Sequence, residues 1–215
     1  MKKMLLLLLC LTLIGSAAFA LDKAWGLGVL AGGTFNGGNI IPVETYDGPS
    51  EALKSTLTGT WSMNRSSFGA FGFFGLSEYM ELNFGFLYKA VEAIRVDIGG
   101  QRGSISGKDS GIDNTGALQL GVYGKYPIPV STKFIFFPTA GADFELTLST
   151  QEEWWSDIWI RGGAGLDYFF SEITFLRAQL LYGAAIPVGG DAQSFGIDTN
   201  FGHGILFKIG VGWMF

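Results

Sequence analysis

The chain has 215 residues, a formal net charge of −5 and only 15% charged residues, and its mean hydropathy is positive. Soluble domains carry about 25% charged residues, so an ordinary soluble domain is disfavoured. No basic patch appears, so nucleic acid is not expected as a partner.

The first 20 residues have the layout of a secretory signal peptide. Lys2 and Lys3 give a positive start, Leu5 to Ile14 an apolar centre, and Ala18-Phe19-Ala20 a small-x-small cleavage site. Residues 1–20 are therefore expected to be removed, leaving 21–215 as one domain. Cleavage also removes Cys10, the sole cysteine, and with it any disulfide or thiolate metal site. Beyond residue 20 no run of 18 apolar residues occurs, so no helical membrane span is expected. A secreted, oily chain without such a helix points to a β-barrel, which spreads its apolar residues over alternate positions. The 33 glycines and 19 phenylalanines agree, since glycine disfavours helices and aromatics favour strands.

Eight segments alternate with the period of two that a strand imposes. The first, about 24–35, sets Trp25, Leu27, Val29 and Ala31 against Gly26, Gly28, Leu30 and Gly32. The second covers 67–76. The third, 79–91, is the clearest: Met80, Leu82, Phe84, Phe86 and Tyr88 oppose Glu81, Asn83, Gly85, Leu87 and Lys89. The fourth, 115–126, turns Leu118, Leu120, Val122 and Tyr126 one way and Gln119, Gly121, Tyr123 and Lys125 the other. Residues 127–131 read as a short turn. The fifth segment, 132–146, is less regular, and Pro138 in its middle suggests a bulge. The sixth, 158–170, carries Trp159, Arg161, Gly163, Gly165 and Asp167 on its polar face. The seventh, 173–186, has Arg177 and Gln179 on its own. The eighth, 201–215, places Ile205, Phe207, Ile209, Val211, Trp213 and Phe215 on an oily face, opposite glycines and Lys208.

The stretches between segments alternate in length. Those at 37–66, 92–114, 147–157 and 187–200 are long and polar, and those near 76–78, 127–131 and 171–172 are short. Aromatics gather beside the short turns: Phe71, Phe73, Tyr79, Tyr126, Phe134, Tyr168, Phe170 and Phe175, with Trp25, Trp213 and Phe215 at the chain ends. The expected fold is all-β, an eight-stranded antiparallel up-and-down transmembrane β-barrel with short periplasmic turns and longer extracellular loops. A soluble lipocalin-like barrel is the alternative, with the oily faces turned inward.

The architecture and the final strand resemble the small eight-stranded bacterial outer-membrane barrels of the OmpA-transmembrane, OmpX and OmpW type. In such proteins the last strand ends in an aromatic preceded by apolar residues at alternate positions. The resemblance implies that Phe207, Ile209, Val211, Trp213 and Phe215 form the signal read by the barrel-assembly machinery, and that the chain resides in the bacterial outer membrane.

Charges on the inward faces carry the remaining chemistry. Glu81, Lys89, Lys125, Asp143, Glu145, Arg161, Asp167, Arg177 and Lys208 are expected to pair across the lumen, because an isolated charge in a narrow interior is costly. Eight strands leave an interior that side chains can fill, so a plugged barrel is expected rather than a pore. Alternatively Leu30, Leu87, Tyr123, Trp159 and Leu206 could line a route for a small apolar solute. No catalytic, cofactor or metal site is expected. His203, the sole histidine, could act with Ser194 or Asp198 in a lipid-modifying enzyme, but a polar residue at the rim is the simpler reading. The loop carboxylates Asp47, Glu51, Asp109, Asp113, Glu152 and Glu153 lack the spacing of a calcium loop. The Gly99-Gly100-x-x-Gly103 run lacks the strand-to-helix setting of a phosphate loop. The expected partners are outer-membrane lipid, the assembly machinery during insertion, and an unidentified extracellular partner.

Overall fold

The computed structural model describes residues 25–42, 59–109, 114–148, 155–189, 197–198 and 202–215. The expected signal peptide and much of the long loops lie outside these residues. The strands are β1 (Trp25–Pro42), β2 (Gly59–Ser77), β3 (Met80–Ile98), β4 (Gln101–Ser106), β5 (Thr115–Lys125), β6 (Ile128–Ser131), β7 (Phe134–Leu148), β8 (Trp155–Phe169), β9 (Thr174–Gly189), β10 (Ile197–Asp198) and β11 (Gly202–Met214). A short 3-10 turn, Gly107–Asp109, follows β4.

Eight of these strands form a closed antiparallel ring in the order β1, β2, β3, β5, β7, β8, β9, β11. The first strand closes it by pairing with both β2 and β11. Closure leaves the ring no free edge, which is the way a sheet satisfies its backbone groups without water.

The faces follow the alternation. On β3, Met80, Phe86 and Tyr88 are exposed, while Glu81, Leu87 and Lys89 between them are buried. On β11, Ile205, Phe207, Ile209 and Trp213 are exposed and Leu206 is buried. Val29, Phe68, Val122, Ile160, Leu180 and Tyr182 continue the apolar surface around the ring. The outside is thus oily and the inside charged, the reverse of a soluble barrel. Twelve steps from His203 to Phe215 cover about 40 Å of strand at ~3.3 Å per residue. A tilt of about 40° projects this onto ~30 Å, the thickness of a bilayer's hydrocarbon core. The fold is a transmembrane β-barrel.

At the short-turn end, outward aromatics stack in pairs. Trp25 lies on Phe215 with ring centroids 4.5 Å apart, Tyr79 on Tyr126 at 5.9 Å, and Tyr168 meets Phe170 edge-on at 5.1 Å. Three aromatics expected in this girdle are elsewhere. Phe73 and Phe175 are buried inside the ring, and Phe71 packs on an interior cluster. Gly26 on β1 makes room for Phe73, and the glycine-rich inner face of β11 for the other two. A Cβ at Gly210 would stand 2.8 Å from the Phe71 ring, and one at Gly212 would stand 2.8 Å from that of Phe175.

The strands outrun their oily segments at the long-loop end. β2 begins at Gly59 and pairs with β3 up to Ile98, and β4 pairs back along β3 from Ile98 to Ala93. The turn between β3 and β4 is Gly99-Gly100, with φ of 57° and 81°. Successive positive φ values suit a two-residue hairpin turn, and glycine adopts them without strain. Much of 92–114 is therefore a ribbon and not a loop. Two details differ at the short-turn end as well. Residues 128–131 form β6, paired with β7, and the register shift lies between Pro129 and Ser131. Pro138 causes none: β7 stays in register with β8 across it, and the ladder with β5 is unshifted up to Thr139. Its carbonyl accepts from Tyr126 N–H at 3.0 Å just past the last β5 rung, so its missing donor falls where that ladder ends.

Substituting Gly210 by leucine is expected to abolish the folded barrel, since the side chain would meet both the Val29 carbonyl and the Phe71 ring. Ile209→Ala, on the outer face, should fold. Gel mobility of unboiled and boiled samples checks this.

Candidate functional site: the lumen

The inward residues form charged layers separated by apolar packing. Nearest the short turns, Glu81 on β3 accepts from Lys125 Nζ of β5 at 2.5 Å and from Arg177 Nη1 of β9 at 2.8 Å. Arg177 also grips Asp167 of β8 with two parallel bonds, Nε to Oδ1 at 2.8 Å and Nη2 to Oδ2 at 2.9 Å. Such bidentate pairing is among the stronger charge-assisted geometries. The guanidinium lies 4.3 Å from the Phe73 ring centroid, 5.4 Å from that of Phe137 and 5.6 Å from that of Phe175. Phe137 and Phe175 are 1% and 0% exposed. Aromatic faces attract a cation, so the ring cluster and the ion network together build a floor across the lumen.

The second charged layer draws on β3, β5, β7, β8 and β11. Lys89 pairs with Glu145, whose other oxygen accepts from Gln119 Nε2 at 2.7 Å. The amide oxygen of Gln119 accepts in turn from Lys208 Nζ at 2.9 Å. Arg161 Nη1 reaches both oxygens of Asp143 at 2.6 and 2.8 Å, and Tyr123 Oη donates to Asp143 at 2.5 Å. Trp159 lies under the Arg161 guanidinium at 4.3 Å.

The nine charges singled out in the sequence thus all face the lumen. Eight of them meet in ion pairs, whereas Lys208 bonds to an amide. Sequence reading assigned no role to Gln119, and it offered Tyr123 only as part of an apolar lining, whereas its hydroxyl joins the charge network at Asp143. It also missed Phe137 as a floor residue, because β7 carries phenylalanines on both faces. The apolar inward residues fill the lumen: Leu30 and Leu87 cluster with Ala117, and Tyr123 with Leu181 and Leu206. One cavity of about 40 Å³ lies among Leu30, Asn83, Gln119, Gln179, Leu181 and Lys208. It has room for a few water-sized occupants.

His203 is on the outer surface, its ring centroid 6.3 Å from that of Tyr182. Ser194 and the side chain of Asp198 lie outside the described residues, as do Asp47, Glu51, Asp113, Glu152 and Glu153. Asp109 accepts from Ser106 Oγ at 2.5 Å. Among the described residues no group of three or more His, Cys, Asp or Glu could hold a metal ion.

No protein-family model and no curated protein sequence matches the chain. Among solved structures it is similar to the outer membrane protein OprG from Pseudomonas aeruginosa, with 12% identity, coverage of 90% of this chain and 97% of that one, and a TM-score of 0.47. It is also similar to the N-terminal β-barrel domain of Pseudomonas aeruginosa OprF, with 13% identity, 88% and 99% coverage and a TM-score of 0.40. A third is the outer membrane protease OmpT from Escherichia coli, with 7% identity, 91% and 98% coverage and a TM-score of 0.40. The barrel assignment rests on this chain's own strand pairing.

Removing one partner of a buried charge network leaves the others unpaired and costs about 3–5 kcal/mol. Arg177→Met, which leaves Asp167 unpaired and Glu81 with Lys125 alone, is expected to lose that much in urea unfolding of the refolded protein. Arg102→Ala, which breaks the exposed pair with Asp97, should lose no more than about 1 kcal/mol.

Proposed function

We propose that the protein is an integral outer-membrane barrel whose filled lumen makes it a structural, surface-presenting element rather than a pore or an enzyme. The observation that carries this reading is the Arg177 floor. One guanidinium ties β3 to β8 and β9 among three phenylalanine rings, where an open channel would need water.

Secretion through a cleaved signal peptide would deliver the chain to the periplasm, and the apolar belt would then partition into the outer membrane. Short turns on the periplasmic side and the long segments outside follow the usual orientation of such barrels. The outward face of β11, from Phe207 to Phe215, would be read by the assembly machinery. Above the bilayer the β2–β3–β4 ribbon would carry the outer loops away from the surface, where they could meet an extracellular partner. His203 packs on Tyr182 on the outside of the barrel, and the enzyme alternative rests on its pairing with Ser194 or Asp198, whose side chains lie outside the described residues.

Purified protein refolded into planar bilayers is expected to give no discrete conductance steps, and in cells it should fractionate with the outer membrane. Regular single-channel steps would establish the channel reading instead. A His203→Ala strain is expected to keep the lipid composition of its outer membrane; an altered composition would favour the enzyme.

A further inference from the structure

The charged layers of the lumen do not balance around Lys208. Lys125 and Arg177 meet Glu81 and Asp167, Lys89 meets Glu145, and Arg161 meets Asp143. Among the described residues, Arg65 and Lys208 are lumenal cations without a carboxylate at ion-pair distance. Arg65 lies in the field of Glu145 and Asp157, and its Nε donates to Met63 Sδ at 3.0 Å. Around Lys208, the attraction of Asp143 and Glu145 is set against the repulsion of Arg161 and Lys89. Those two carboxylates are also spent. Both oxygens of Asp143 are taken by Arg161 and Tyr123, and those of Glu145 by Lys89 and Gln119. The ammonium is left with one hydrogen bond, to the Gln119 amide oxygen, while it can donate three. A buried cation in that position is costly unless something neutralises it.

The space for a neutralising group lies beside it. Lys208 lines the cavity of about 40 Å³. The side-chain amides of Asn83 and Gln179 line it too, and neither makes a side-chain hydrogen bond to another described residue. Spare N–H donors on three strands thus line one small void. Asp143, also in its wall, has its charge matched by Arg161.

We propose that this cavity binds a small monovalent anion of halide size, held by the Lys208 ammonium and by amide N–H groups of Gln179 and Asn83. A chloride ion is somewhat larger than a water molecule, so a void with room for a few water-sized occupants admits it together with bound water. The anion completes the charge balance of the upper layer and joins β3, β9 and β11 through one shared ligand. It is a structural ion within the lumen and needs no conduction path.

The test compares thermal unfolding of the detergent-refolded protein in sodium chloride, sodium bromide and sodium gluconate. Ionic strength is held constant so that screening of the other lumenal pairs is equal. Gluconate is too large for the cavity. A ligand that binds only the folded state raises the melting temperature by mass action. The expected result is a saturable rise with either halide, about 5–10 °C at a hundredfold excess over the dissociation constant. Lys208→Met should fold and lose the halide dependence, and Gln179→Leu should shift it to higher halide concentration. Crystals grown in bromide should show an anomalous peak beside Lys208 Nζ. Equal melting in chloride and gluconate, a halide dependence that survives in Lys208→Met, or a cavity holding only water in the bromide crystals would each overturn the proposal.

Discussion

Inside hydrocarbon no water is at hand to satisfy a backbone N–H or C=O, and each one left unpaired costs several kcal/mol. The pairing of β1 with both β2 and β11 answers that constraint, and the remaining features depend on it. A closed ring of eight strands has one face toward lipid and one toward a narrow interior. Alternation then assigns every residue to one or the other. Phe86 must face out if Leu87 faces in, and a slip of one residue would drive Glu81 and Lys89 into the lipid.

The interior must then solve a packing problem with charged groups. Eight strands enclose a space that side chains can fill, so each lumenal charge needs a partner reaching from another strand. Glu81 serves two cations at once, and Arg177 serves two carboxylates. The pairs thereby link strands that are not neighbours in the ring, as the reach of Arg177 from β9 to Glu81 on β3 shows. Aromatic rings share this task. Phe73, Phe137 and Phe175 surround the Arg177 guanidinium and displace the water that would otherwise screen it. Glycines supply the space that those rings and Phe71 need: Gly26 on β1 beside Phe73, Gly165 on β8 beside Phe137, and Gly210 and Gly212 on β11 beside Phe71 and Phe175. Charge, aromatic bulk and missing side chains are therefore one design, in which each compensates for the space or charge of the next.

How much of this could be read beforehand varies with the physics of each part. Lipid demands strict alternation of large apolar residues, so β11 was legible to within a residue and β3 as far as Val91, and their faces were assigned correctly. Above the lipid that demand ends. Gly59–Asn64 and Arg95–Ser106 are held mainly by backbone pairing, with the exposed Arg102–Asp97 ion pair beside it, and polar sequence gives no periodic trace of it. The Gly99-Gly100 pair was the available signal for that hairpin, and it was considered only as a phosphate loop. Phe71, Phe73 and Phe175 were placed in the girdle because their distance from the short turns suited it; parity on β2 is obscured where Phe73 and Phe74 stand side by side. In the lumen, the inward position of the charged residues was legible from parity. Their partners were not, because the pairing depends on the stagger of strands around the ring, which only the closed barrel defines. Lys208 shows the limit: alternation turned it inward, and nothing local revealed that it meets an amide in place of an acid.

The central claim is that the ring is turned inside out, and an accessibility scan along β3 tests it most directly. The protein without residues 1–20 has no cysteine of its own, so single cysteines from position 82 to position 88 can each carry a spin label in refolded, liposome-embedded protein. The account predicts a period of two: high access to dissolved oxygen at positions 82, 84, 86 and 88, and low access at 83, 85 and 87. The opposite phase, or uniform access to a water-soluble relaxing agent at all seven positions, would contradict it.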